Sequence, residues 1–220
     1  MTPEITAQID ELIGELGAEI GLQPGFYEGL LKEQNDWAFL IQLQVVVEAT
    51  ITHALIKALN EDRAFDHISR FNFDGRTGKL SLARALGVLD SSSINALRAL
   101  SACRNSFAHH IANIGTTLEA FGESLDANSK LSLVRKMGFL EPDDENAEQD
   151  AGFPGFGSKL RHRLWFSTAC ALACLANARI RASLVRLRRQ LVHTERSHVH
   201  TSRGTSRGLL DFVAKNDLKQ

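Results

Sequence analysis

The chain contains few of the residues that favour a turn-rich or disulfide-bonded fold. Only four prolines and one tyrosine are present, which argues against a β-rich protein with many tight turns. The three cysteines are an odd number in an irregular spacing, so we expect reduced thiols and a cytoplasmic location. No uncharged span of eighteen apolar residues occurs, and the acidic N-terminal sequence is unlike a signal peptide. We therefore expect no membrane insertion.

The composition is otherwise that of an ordinary globular protein. Hydrophobic residues make up 44% of the chain and charged residues 23%. A chain of 220 residues can form one good-sized core and is short for two domains. We therefore predict a single domain over residues 1–192 and a flexible basic tail over residues 193–220. Because no Cys/His set has the spacing of a metal site, we predict no metal and no cofactor.

Apolar residues recur every three or four positions along most of the chain, which predicts helices. We expect an all-α, dimeric protein built as an antiparallel bundle of four or five main helices. A plain connector, NFDGRTGK, precedes the third predicted helix, and an acidic loop over residues 141–157 precedes the last. The predicted helices cover residues 3–20, 35–59, 80–89, 91–118 and 159–193, with two weaker pieces between residues 118 and 139.

Charge is unevenly distributed along the chain. Residues 1–157 contain 12 Lys and Arg against 23 Asp and Glu, whereas residues 158–208 contain 11 basic residues and one acidic residue. Such a basic segment can bind a nucleic acid, or it can neutralise the acidic half within the fold or across a dimer. The candidate nucleic-acid-binding residues are Arg179, Arg181, Arg186, Arg188 and Arg189.

The candidate site lies on the helix predicted from Ser91 to Leu118, in the sequence RNSFAHH. Serine side chains at positions 91–93 are predicted to cap this helix. One side of it is apolar, and His109 lies about 160° from that stripe. Its apolar residues are Leu97, Leu100, Cys103, Phe107, Ile111 and Ile114.

Three polar residues of this helix are the candidate catalytic set. Asn105 and His109 are four residues apart and therefore share a face. Arg104 lies about 140° from His109 around the helix. The two therefore converge only through side-chain reach, a helix distortion or a partner chain.

The string R-N-x-x-x-H, from Arg104 to His109, resembles the signature of the HEPN superfamily. The preceding FDGRTGKLSLARALGVLD is similar to the segment before the equivalent helix in the mannitol operon repressor (MltR-like) family. The likeness covers residues 37–121. The HEPN resemblance implies a dimer with two motifs facing one cleft and RNA as the substrate. The MltR-like resemblance implies a non-catalytic regulator or protein-interaction module.

The chemistry of the motif suits RNA cleavage without a metal. Imidazole titrates near pH 6.5 and can transfer protons, and a guanidinium can bind two phosphate oxygens. His109 is therefore the candidate proton-transfer group and Arg104 the candidate phosphate-binding cation. Asn105 would fix the phosphate or orient His109. The enzyme would be of the toxin or defence type, with an antitoxin or regulatory protein as a further partner.

Glu48 is the candidate supporting residue. It lies in the most apolar predicted helix, among valines and isoleucines, and a carboxylate buried there needs a partner. Arg104 is the natural partner. The alternative is a solvated Glu48 on a narrow exposed strip of that helix.

Overall fold

The structure is a computed structural model that describes residues 3–109, 115–138 and 155–178, without the side chains of residues 3–6 and 108–109. These residues are helices joined by turns and short loops, with no strand among them. The all-α prediction is confirmed. All of them belong to one compact unit, Met1–Arg179. The predicted boundary at residue 192 lies outside the described residues.

The helices follow one another closely along the chain. Short 3-10 turns occupy Leu30–Lys32 and Asp62–Ala64. The α-helices are α1 (Pro3–Glu19), α2 (Phe26–Gly29), α3 (Asp36–Leu59), α4 (Phe65–Ile68), α5 (Lys79–Ala85), α6 (Ser91–His109), α7 (Leu118–Ser124) and α8 (Ala127–Lys136), and α9 covers residues 156–178.

Helix α3 lies at the centre of the core. Its predicted start is confirmed, because the side chain of Asn35 accepts hydrogen bonds from the backbone nitrogens of Trp37 (2.9 Å) and Ala38 (3.1 Å). Helices α4, α5 and α6 all pack against it. By length and composition α3 could span a membrane, but 67% of its most apolar window is buried inside the fold. That burial is typical of the core helix of a soluble protein.

Helix α9 is joined to α2 by a reciprocal pair of hydrogen bonds. The Tyr27 hydroxyl donates to the carbonyl oxygen of Trp165 at 2.9 Å, and Trp165 Nε1 donates to the carbonyl oxygen of Tyr27 at 3.0 Å. The two ring centroids are 5.2 Å apart. Each aromatic ring is therefore buried with its polar atom satisfied.

The predicted helix over residues 91–118 begins at Ser91 as expected, but its capping residue and its end differ from the prediction. At its start, Asp90 is the capping residue rather than the serines, since Asp90 Oδ1 accepts from the backbone nitrogen of Ser93 at 2.7 Å. At its end, Gly115 has φ +88° and begins a non-helical turn. Thr117 then caps α7 by accepting from the backbone nitrogen of Ala120 at 3.1 Å. Ile111 and Ile114 lie outside the described residues.

The predicted acidic loop ends earlier than expected, because α9 already includes residues 156 and 157. A Cβ atom on Gly157 would overlap the carbonyl oxygen of Glu119, and one on Gly122 would lie 2.6 Å from the Cα of Gly157. Only glycine therefore allows α7 and α9 to approach this closely. The rest of the predicted loop, residues 141–154, lies outside the described residues.

Candidate functional site

Arg104 lies on the side of α6 that faces α3, next to Glu48. Its Nη2 atom is 3.9 Å from Glu48 Oε1, and the side chains are 27% and 33% exposed. The same carboxylate accepts a 2.9 Å hydrogen bond from Gln44 Nε2 and lies 4.0 Å from Nζ of Lys79. Glu48 is thus neither fully buried nor fully solvated, and it has one hydrogen-bond donor and two neighbouring cations.

Lys79 is a member of this cluster that sequence reasoning missed. It is only 4% exposed, although lysine is rarely buried without a partner. It begins α5 directly after Gly78, where a Cβ atom would lie 2.6 Å from the carbonyl oxygen of Asp74. The glycine thus permits the tight turn that places Lys79 beside α3. The sequence Thr77-Gly78-Lys79 was the available signal, and we interpreted it as part of a connector.

The connector before α5 is held in place by an ion pair with α6. Arg98 donates from Nε and Nη2 to the two carboxylate oxygens of Asp74, both at 2.9 Å. These hydrogen bonds from Arg98 lower the pKa of Asp74 and raise that of Arg98. Ser81 Oγ also donates to the carbonyl oxygen of Gly75 at 2.6 Å. The loop that positions Lys79 is therefore fixed at several points.

The remaining motif residues lie further round α6 or further along it. Asn105 is exposed, and residue 109 is one turn beyond it at the last residue of α6. The side chain of His109 is outside the described part of the structure. Arg104 is in contact with α3 through Glu48. The structure therefore brings Arg104 together with Glu48, and it places Asn105 on a different side of α6.

A groove of about 340 Å³ lies between α6 and α8 and is closed at one side by α7. Its polar residues are Ser106, Asn128, Ser129, Ser132 and Lys136, and its apolar wall includes Cys103, Phe121 and Leu133. Burial raises the pKa of the Cys103 thiol to about 12, although the nearby Lys136 opposes this. Because the thiol stays protonated at neutral pH, Cys103 is not a candidate nucleophile.

A second arginine–carboxylate cluster lies where α3, α7 and α9 meet. Arg161 Nη1 donates to Asp36 Oδ1 at 2.9 Å, and Arg161 Nη2 donates to the carbonyl oxygens of Leu30 (2.9 Å) and Glu33. Asp36 Oδ2 accepts from the backbone nitrogen of Leu118 at 2.7 Å. The Asp36 side chain is 14% exposed and the Arg161 side chain 21%. Neither Asp36 nor Arg161 is among the candidate site residues predicted from the sequence.

The arginines predicted to bind nucleic acid, residues 179–189, lie outside the described residues. Within residues 3–109, 115–138 and 155–178, no group of three or more His, Cys, Asp or Glu side chains could hold a metal ion. Among the described cations, Arg104, Lys79 and Lys136 lie near the motif on α6.

Comparisons of the chain with protein-family models, curated proteins and solved structures gave no significant match. The resemblance to the HEPN and MltR-like families therefore rests on the sequence motif and its preceding segment. The helices themselves establish the all-α fold class.

Proposed function

We propose that the protein is a HEPN-like, metal-independent endoribonuclease of the toxin or defence type. The observation that supports this best is the way in which Arg104 is held. A strong arginine–carboxylate pair brings nitrogen and oxygen to about 2.7–2.9 Å. Arg104 remains 3.9 Å from Glu48 and is 27% exposed, beside the exposed Asn105. Glu48 therefore orients this guanidinium without holding it at hydrogen-bond distance.

Each motif residue has a role in this reaction. His109 takes the proton from a ribose 2′-hydroxyl, and the 2′-oxygen attacks the adjacent phosphorus. The bond to the 5′-oxygen breaks, and that oxygen leaves with a proton from a general acid. Arg104 stabilises the negative charge on the non-bridging phosphate oxygens, and Asn105 positions the phosphate. The products carry a 2′,3′-cyclic phosphate and a 5′-hydroxyl.

In the proposed homodimer, the arginine and the histidine that act on one phosphate come from different protomers. Residues 104 and 109 lie about 140° apart around α6, so the two positions are on different sides of the helix in a single copy. In a dimer with facing motifs, the arginine of one protomer approaches the histidine of its partner. The second histidine then serves as the general acid.

The test is incubation of the purified protein with total RNA in EDTA, with His109→Ala as the control. We expect fragments with cyclic phosphate ends from the wild-type protein and none from the variant. If EDTA abolishes cleavage and a divalent metal restores it, the imidazole mechanism is wrong. If RNA is cut under no condition, the enzymatic proposal fails.

The second candidate is a non-catalytic regulator, and the contact between Arg104 and Glu48 favours it. If that pair has only a structural role, Arg104 takes no part in catalysis. The C-terminal arginines are then the surface that binds nucleic acid. Under this proposal, replacing Arg186, Arg188 and Arg189 by Ala weakens DNA or RNA binding and flattens its salt dependence. Unchanged affinity with an unchanged salt slope would mean that these arginines face acidic protein surface.

A further inference from the structure

Charge changes sign along the described part of the chain. Residues 1–90 contain seven Lys and Arg against fourteen Asp and Glu, whereas residues 91–138 contain five basic residues and three acidic ones. The second segment includes α6, α7 and α8. The segment that includes the motif helix therefore carries a small excess of positive charge within an otherwise acidic part of the sequence. Positive charge that is not neutralised by neighbouring carboxylates attracts polyanions.

The cations of residues 91–138 differ in whether they form an ion pair. Arg98 is bound to Asp74, Arg104 contacts Glu48, and Lys130 lies 3.5 Å from Glu123. Arg135 and Lys136, at the end of α8, are exposed and form no ion pair with another described residue. Of these two, Lys136 lines the groove between α6 and α8. Its charge acts on the thiol of Cys103 on the α6 side of that groove.

The groove has the surface chemistry of a site for single-stranded RNA. Its volume of about 340 Å³ falls within the range of small-ligand sites. Asn128 and Ser132 offer donors and acceptors that suit phosphate and ribose oxygens, including the 2′-hydroxyl. Phe121 is partly exposed there and lies edge-on to Phe107 with ring centroids 5.3 Å apart. A partly exposed aromatic ring is a common stacking platform for an unpaired base.

The groove lies next to the motif on the same helix. Ser106, which lines it, directly follows Asn105. Residue 109 is one turn beyond Ser106 and lies about 60° from it around the helix. A strand in the groove therefore runs along the face of α6 that leads to Asn105 and residue 109.

We propose that the groove between α6 and α8 binds the sugar–phosphate backbone of single-stranded RNA, with Lys136 as its principal cation. The identity of the polyanion rests on the proposed function. Lys136 contacts a phosphate on one side of the scissile bond and Arg104 contacts the scissile phosphate itself. Phosphate contacts set register and affinity, not sequence, so the groove adds binding strength without base preference.

The experiment measures binding without cleavage. Labelled single-stranded RNA is titrated with His109→Ala protein by fluorescence anisotropy at several salt concentrations. Adding Lys136→Ala should weaken binding roughly tenfold, as expected for a hydrogen bond to a charged group. It should also reduce the slope of log affinity against log salt by about 0.7, the value for one phosphate contact on a single strand. Lys136→Arg should keep the parental slope.

Lys32→Ala is the matched control. Lys32 is an exposed lysine in the 3-10 turn before α3, and it does not line the groove. Its removal should leave both affinity and salt slope unchanged. The melting temperature of each variant checks that the fold is intact.

Three results would overturn the groove proposal. The first is an unchanged affinity and slope in Lys136→Ala, and the second is an absence of RNA binding by the parent protein. The third is equal competition by poly-glutamate, which would identify the groove as a surface for acidic protein. If wild-type protein binds RNA through Lys136 and cuts none, the nuclease proposal fails and the groove stands. If the wild-type protein cuts RNA and Lys136→Ala has no effect on RNA binding, the groove proposal fails and the nuclease proposal stands.

Discussion

Two arginine–carboxylate contacts join α3 to other helices, and they differ in how completely the fold uses the arginine. Arg161 donates to Asp36 at 2.9 Å and to two backbone carbonyls, and its guanidinium lies 4.5 Å from the centre of the Phe39 ring. Arg104 reaches only 3.9 Å from Glu48, a carboxylate that also contacts Lys79 and Gln44. The first arginine holds the fold together. The second contacts its carboxylate only over a longer distance.

The difference arises from the surroundings of each pair and not from the residue types. Asp36 begins α3 and uses its second oxygen to bind the backbone of Leu118, so both of its oxygens are fixed. Glu48 lies in the middle of the same helix, and its nearest donor is Gln44 on the preceding turn. An arginine with several fixed acceptors is costly to move, whereas one beside a shared carboxylate can move to a phosphate. The following predictions test that contrast.

The largest effect is expected for Arg161→Ala. The substitution removes the hydrogen bonds of Arg161 to Asp36 Oδ1 and to two backbone carbonyls in a region that is mostly buried. Breaking such a pair costs about 3–5 kcal/mol of the free energy of unfolding. Urea denaturation measures the loss, and Arg84→Ala, an exposed arginine on α5, is the control with an expected change within about 0.5 kcal/mol. A loss below about 1 kcal/mol for Arg161→Ala would show that the contacts of Arg161 with Asp36 and the backbone contribute little to the stability of the fold.

His109→Ala should affect activity and spare stability. Loss of the proton-transfer group lowers the rate of RNA cleavage by about 10²-fold or more. The free energy of unfolding should change by no more than about 0.5 kcal/mol, as for a surface substitution. His67→Ala, which removes an exposed histidine from α4, should change neither quantity. A large fall in melting temperature for His109→Ala would identify His109 as structural.

Arg104→Ala should cost much less stability than Arg161→Ala. Had the pair been buried, its loss would have stranded Glu48 and cost about 3–5 kcal/mol. Because both side chains are about one-third exposed and Glu48 keeps Gln44 and Lys79, the pair is closer to a surface ion pair. We expect a loss of about 1 kcal/mol or less by urea denaturation. A loss as large as that of Arg161→Ala would remove the contrast between the two arginines.

The smallest effect concerns pH and the pair formed by Asp74 and Arg98. Arg98 lowers the pKa of Asp74 in the folded state below the ordinary value of 3.8. The stabilisation is therefore present above pH 3.8 and is lost as the pH falls through the lower folded-state value. Both side chains are well exposed, so the loss should be within about 1 kcal/mol. Acid unfolding of Arg98→Ala should lack this component, and an unchanged acid profile would contradict it.

Much of the fold follows from local sequence, because helices depend on periodicity and caps. The apolar spacing from Trp37 to Leu59 and the polar Asn35 before it were sufficient to locate α3. The prediction of helix ends and caps failed where a single residue sets them and the neighbouring residues are all compatible with a helix. Gly115 interrupts an apolar pattern that otherwise continues from α6 into α7, and Asp90 precedes three serines that could each have been the cap. At such positions the backbone conformation determines where the helix begins or ends, and the spacing of apolar residues does not predict that conformation.

The candidate site was accessible to sequence reasoning only in part. A contact between Glu48 and Arg104 was one of two alternatives, the other being a solvated Glu48, and the structure places the two side chains 3.9 Å apart and partly exposed. Lys79 was not expected, since its burial depends on a tight turn at Gly78 and on the ion pair that fixes the loop. The groove beside α6 was also not expected. Three helices form the groove, and no local sequence pattern predicts the distances between them.

The most direct test of the account is the rate of RNA cleavage in EDTA by Arg104→Ala, compared with Arg84→Ala. If Arg104 is the cation that stabilises charge on the phosphate, its loss lowers the rate by about 10²–10³-fold, the usual effect of removing one such donor. Arg84→Ala should cleave RNA at the wild-type rate. Equal rates for the two variants would contradict the account, because Arg104 would then have no part in the chemistry.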